Sequence, residues 1–185
     1  QAAAGGVGLL LVQMAKRRGA TVIGTVSSAE KAELAKSVGA DQVIVYTKDD
    51  FETETMRLTN GEGVHAVYDA VGKTTFDKGI KVLRAQGYMI VYGLTSGSVP
   101  PFDINRLSGI TGSGNKGSLF LTWATSSDYT SKREDLLWRA SDVFTWIADS
   151  SLEVHIAQTF PLAEAAEAHR LIERRKALGK ILLIP

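Results

Sequence analysis

The chain has 185 residues, 44% of them hydrophobic, which allows one domain with a real core and a short appended lobe. Its 21 lysines and arginines balance 20 acidic residues, so neither a broad nucleic-acid surface nor an anionic-membrane surface is expected. The absence of cysteine excludes disulfides, thiolate catalysis and Cys-ligated metals, and His65, His155 and His169 lack metal-ligand spacing, so no metal is expected. No apolar run approaches the ~20 residues of a membrane span and no basic leader opens the chain, which makes a cytoplasmic protein the expectation.

In chain order, a glycine turn comes first, and residues 7–18 follow with Val7, Leu10, Leu11, Met14 and Ala15 on helical spacing before a stop at Gly19. The β-branched run 21–26 predicts a strand, Ser27-Ser28 caps a helix ending at Gly39, and 42–46 predicts the next strand. A polar helix over about 49–58, a turn at 60–63, a strand at 64–70, a helix at 74–84 and a strand at 88–92 entered through Gly87 continue the alternation. Such alternation predicts an α/β fold, a doubly wound Rossmann-like parallel sheet with helices on both faces, lacking the first strand that should precede the glycine turn. Residues 93–117 lose periodicity and read as a functional or mobile loop. Strand character returns over 118–123. Residues 132–150 predict a long amphipathic helix with Leu136, Leu137, Ala140, Val143, Phe144 and Ile147 facing inward. A strand from Ile156, a helix from Leu162 to about Arg175, a break at Gly179 and a strand over 181–184 complete the chain. Trp123, Trp138 and Trp146 read as core or interface residues, because none sits in a basic groove.

The glycine turn carries the chemistry. It reads Ala3-x-Gly5-x-x-Gly8, the dinucleotide fingerprint with alanine in place of the first glycine. Gly5 and Gly6 remove the Cβ atoms that would hold a pyrophosphate away, and the helix behind them offers unpaired N–H groups and its positive dipole end. An NAD-specific site places an acid about 20 residues further on, at the end of the second strand. Here that position is Thr25-Val26-Ser27-Ser28 with Lys31 one helical turn beyond, while Glu30 reads as solvent-facing. Hydroxyls and a lysine suit a 2′-phosphate, which predicts NADPH as cofactor.

With these residues in place the chain resembles the quinone oxidoreductases, or zeta-crystallin-like proteins, of the medium-chain dehydrogenase/reductase superfamily. The resemblance rests on AAAGGVG at 2–8, GTV at 24–26, VYDAVG at 67–72, Tyr92-Gly93 and GKILLIP at 179–185, and covers nearly the whole chain. It implies that Gly5, Gly6, Val7 and Gly8 hold the pyrophosphate. Lys31, Tyr46 and Arg175 match positions that grip the 2′-phosphate, with Ser28 as a further donor. Val71 and Gly72 would line the adenine or ribose side, and Tyr92, Gly93, Leu94 and Thr95 would approach the nicotinamide ribose and ring.

The resemblance further implies a two-domain enzyme whose N-terminal barrel-like substrate domain is missing here. Residues 1–150 are then the NADP-binding domain, truncated at its start, and 151–185 a segment that packs on the substrate domain. The implied activity is zinc-independent hydride transfer from NADPH to a quinone or similar conjugated carbonyl, with this part alone inactive or nearly so. An alkenal or enoyl double-bond reductase of the same superfamily is the alternative. A non-catalytic nucleotide- or RNA-binding module using Arg174, Arg175, Lys176 and Lys180 is another, although that charge run reads first as a solvated helix end. Relatives continue their sheets into a homodimer near Leu119–Thr122. No acid or base is assigned; Asp69 and Tyr92 are the polar groups near the expected cleft.

Overall fold

The computed structural model describes residues 1–109, 117–174 and 177–185. Helices and strands alternate: α1 (Gly8–Arg17), β1 (Ile23–Val26), α2 (Ala29–Ser37), β2 (Gln42–Val45), α3 (Phe51–Leu58), β3 (Val64–Asp69), α4 (Phe76–Lys81) and β4 (Leu83–Val91). Then come β5 (Phe120–Trp123), a short α5 (Ser126–Tyr129), the long α6 (Arg133–Ala148), β6 (Ile156–Pro161), α7 (Ala165–Glu173) and β7 (Lys180–Ile184). The strands form three ladders, β1-β2, β3-β4-β5 and β6-β7. The β3–β4, β4–β5 and β6–β7 pairings are parallel, so the expected α/β class with parallel sheets holds. Among the described residues no helix is long and apolar enough to cross a membrane.

The chain divides into two compact units. One holds residues 1–2 and 44–131, the other 3–43 and 132–185.

In the 44–131 unit the core follows strand alternation. Val67 and Asp69 on β3 and Met89 and Val91 on β4 are buried on the face that receives α4. α4 comes close because Gly79 has no side chain: a Cβ there would stand 3.0 Å from the Met89 Cε and 3.5 Å from the Val67 Cγ1. The expected helix over 74–84 is shorter, since α4 ends at Lys81 and β4 begins at Leu83. Leu83 is 1% exposed and pairs with Val64, after which the register slips and Tyr88 takes the place beside Ala66. Burial of Leu83 outweighs the helical propensity of the residues around it.

In the other unit, Leu9 and Val12 form the buried edge of α1, one position away from the expected stripe, and Val7 is 49% exposed. α6 differs more from expectation. None of its residues is buried, and Leu136, Leu137, Phe144 and Ile147 are exposed where they were expected to face inward. Amphipathic spacing identifies the face that prefers burial, and this unit covers only the end of it, where the Arg17 guanidinium lies 5.1 Å from the Trp146 ring centroid. Trp138 is likewise exposed, as is Trp123 in the first unit.

Candidate functional site

The glycine turn is laid against the end of β1. Ala3 donates its N–H to the Thr25 carbonyl at 3.0 Å. Gly24 makes this approach possible, because a Cβ there would stand 2.8 Å from the Ala3 Cβ. Leu9 N–H donates to Gly5 O at 3.0 Å and Leu11 N–H to Val7 O at 2.9 Å, which starts the helix directly behind the turn. α1 has no side-chain cap and no acidic residue in its first turn. Among the described residues, nothing accepts from the N–H groups of Gly6, Val7 and Gly8. Free amide donors at a helix start with no local carboxylate are the chemistry that binds an anion.

One strand further on, Ser28 caps α2, its Oγ accepting from Lys31 N–H at 3.3 Å. The Ser28 hydroxyl keeps its own proton for donation. Lys31 is half-buried and Glu30 exposed, as its solvent-facing reading expects. Gly5, Gly6, Val7, Gly8, Ser28 and Lys31 thus belong to a single unit.

Tyr46, Val71, Gly72, Tyr92, Gly93, Leu94 and Thr95 belong to the other. Here two loops leave the carboxyl ends of β3 and β4 and are stitched together. Thr95 N–H donates to Ala70 O at 3.1 Å, Ser96 N–H to Val71 O at 2.8 Å, and Tyr92 N–H to Asp69 O at 2.8 Å. Gly72 has φ +86°, and a Cβ on it would stand 2.8 Å from Leu94 Cδ2 and 2.9 Å from Gly97 O. A Cβ on Gly93 would stand 2.8 Å from Ala70 O. Both glycines therefore admit protein backbone. The platform they build lies outside the carboxyl ends of parallel strands, where ligands bind in open α/β sheets.

Asp69 organises this platform. It is fully buried, and its Oδ1 accepts from Val71 N–H at 2.7 Å, Gly72 N–H at 3.3 Å and Thr75 Oγ1 at 2.9 Å. Its carboxylate is committed to shaping the loop. Burial, and secondarily the Asp69 charge, push the Tyr92 phenol up to about 12, so Tyr92 keeps its proton at neutral pH. Tyr46 stands just past β2 and is 47% exposed. Arg175 and Lys176 lie outside the described residues, and with them part of the basic cluster.

Two contributors were not legible as such in the sequence. Asp69 was read as a polar group near the expected cleft without an assigned role, although its spacing to Val71 is the signature of a side chain bonding its own backbone two residues on. Gly24 looked like an ordinary strand residue; an isolated glycine in a strand is the signal for close backbone approach.

A family model described as zinc-binding dehydrogenase matches residues 6–133. The chain belongs to that family. It is 39% identical to quinone oxidoreductase 1 of Escherichia coli (strain K12), across all of this chain and 55% of the relative. It is also 39% identical to 2-haloacrylate reductase of a Burkholderia species, across all of this chain and 54% of the relative. The structure of E. coli quinone oxidoreductase complexed with NADPH superposes with a TM-score of 0.91 at 39% identity, covering 100% of this chain and 55% of that one. The resemblance to quinone oxidoreductases and the Rossmann-like α/β class are thereby shown, and the chain spans about half the length of these relatives. The sequence has no cysteine, and the described residues form no group of three or more His, Asp or Glu side chains.

Proposed function

We propose that this chain is the cofactor-binding part of an NADPH-dependent, zinc-independent oxidoreductase that reduces quinones or similar conjugated carbonyls. The observation that carries the reading is the uncapped, acid-free start of α1, with the N–H groups of Gly6, Val7 and Gly8 lacking acceptors, in one unit with Ser28 and Lys31. Three amides and a helix dipole suit the pyrophosphate, and the hydroxyl and ammonium suit the 2′-phosphate. The NADPH-bound state of the E. coli relative supports the same cofactor. Tyr46 and Arg175 complete the 2′-phosphate set in this reading, while Val71 and Gly72 line the ribose side and Tyr92, Gly93, Leu94 and Thr95 the nicotinamide end.

NADPH, when bound, supplies the hydride. The contribution of these residues is to hold and orient the cofactor. Asp69 and Thr75 keep the Val71–Gly72 turn in place, and Tyr92 remains a neutral hydrogen-bond donor. Residues 1–150 are read as the cofactor domain and 151–185 as a segment that packs on a substrate domain, with the chain alone nearly inactive. The 2-haloacrylate reductase relative, equally similar over the same share, favours a second reading as a double-bond reductase.

Calorimetric titration with NADPH and NADH at fixed, moderate salt tests the proposal. Binding of NADPH at least tenfold tighter than NADH is expected. Absence of binding by either cofactor overturns it.

A further inference from the structure

Ser96 ties the loop after β4 to the loop after β3. Its hydroxyl donates to Val71 O at 2.7 Å, its N–H donates to the same carbonyl at 2.8 Å, and its Oγ accepts from Thr74 N–H at 3.1 Å. The Val71 carbonyl thus takes two bonds from a residue 25 positions further along the chain. All of these groups lie within the 44–131 unit.

The turn around Gly72 is gripped from two directions. Asp69 Oδ1 accepts from the N–H groups of Val71 and Gly72, while Ser96 takes the Val71 carbonyl and the Thr74 N–H. Gly72 has φ +86°, a conformation that glycine permits without imposing, so the shape of the turn depends on those bonds. Gly97 turns the other loop straight after Ser96. At φ +108°, it donates its N–H to Leu94 O at 2.9 Å and accepts from Lys73 N–H at 3.1 Å. Leu94 and Thr95 are therefore held directly before Ser96, with Val71 and Gly72 across from it.

Burial separates the work of Ser96 from that of Asp69. Asp69 is fully buried, whereas Ser96 is half-buried and Thr74 exposed, so water can replace the Thr74 bond when the hydroxyl is removed. The hydroxyl therefore contributes less to folding than to the spacing of the two loops. Its single proton is spent on Val71 O, so it acts through its neighbours. We propose that Ser96 is a positioning residue for the nicotinamide end of the cofactor: it fixes Leu94 and Thr95 against Val71 and Gly72, so that this half of the ligand meets one preformed surface. This inference rests on the proposed NADPH site and names a residue that shapes it without touching the ligand.

The nicotinamide half is common to NADPH and NADH, and that separates Ser96 from Lys31. In calorimetric titrations, Ser96→Ala should bind both dinucleotides about fivefold more weakly than the unmodified chain. Adenosine 2′,5′-bisphosphate, which has no nicotinamide, should keep its affinity within about twofold. At saturating NADPH, the fluorescence of the bound reduced nicotinamide should be weaker and red-shifted in Ser96→Ala, because the ring is held more loosely and is wetter. Ser96→Thr, which keeps the hydroxyl, should restore both affinity and emission, with thermal melting recorded for each variant. Dinucleotide affinities within about twofold of the unmodified chain, with unchanged emission, overturn the role of Ser96 and leave the cofactor site standing. A lowered melting temperature with unchanged emission of the saturated complex, or an equal loss for the bisphosphate, makes Ser96 a structural residue only and overturns the role as well. No binding of either dinucleotide by the unmodified chain removes the site and this inference together.

Discussion

Lys31, on α2, and Asp69, at the end of β3, illustrate how two charged residues take different work. Lys31 is half-buried on a helix whose cap, Ser28, holds its backbone in place. Replacing it with alanine removes the ammonium that the proposed site sets against the 2′-phosphate. NADPH affinity should fall by about tenfold or more while NADH changes less than twofold, as read by calorimetry; equal losses would remove Lys31 from the phosphate site. Asp69 does its work inside the protein. Asp69→Ala would leave the Val71 and Gly72 amides and the Thr75 hydroxyl without their acceptor in a dry interior, at a cost of about 2–4 kcal/mol in urea denaturation. Asp69→Asn, which keeps one acceptor oxygen, should lose less. The sequence showed that an acid stood here; which atoms it faced depended on β3 and the loop after it folding back together.

At the scale of elements, α3 and α4 are joined through charge. Asp50 caps α3 by accepting from Thr53 N–H at 3.0 Å and also accepts from the Lys78 ammonium on α4. The Lys78 hydrogen bond, with the Thr53 amide second, holds the Asp50 carboxyl at about 2, below its ordinary 3.8. A depressed folded-state value stabilises the protein above the unfolded value and is lost as pH falls toward the folded one. The α3–α4 contact should therefore weaken between about pH 4 and pH 2, and Asp50→Asn should flatten that part of the stability curve measured by denaturant unfolding. Because Asp50 is well exposed, the effect is a fraction of what the shift alone implies. The polar helix itself was readable in advance, whereas its Asp50 cap came from the structure. So did the Lys78 partner, 28 residues away.

Across the whole molecule, exposed apolar side chains gather on α6, whose spacing assigned them inward, and on β5. All four residues of β5 are exposed, with Phe120 stacked on Tyr88 at 4.4 Å and Leu121 and Trp123 open to solvent. β5 is also the last strand of its ladder, so its outer backbone groups are unpaired within the described residues. An edge of this kind invites pairing, and a homodimer through Leu119–Thr122 is the expectation. Sedimentation should report a dimer at micromolar concentration, and Leu121→Lys should shift it to monomer. A monomeric unmodified chain would dismiss the edge as an assembly surface.

Local rules were enough for the α/β alternation, the glycine turn and the Ser28 cap, because each depends on residues within a few positions of one another. They were also enough to read the lack of an acid after β1, where the 2′-phosphate argument begins. The tertiary structure decided what those rules do not reach. It buried Leu83 and so ended α4 early, left the apolar stripe of α6 uncovered, and used Gly72 and Gly93 to seat backbone. It also carried Lys180 across 174 positions of sequence, from 6 to 180, to lie over Gly6. Periodicity records which face of an element prefers to be buried, whereas the partner that buries it, or the cation that meets it, is set by contacts between residues far apart in the chain.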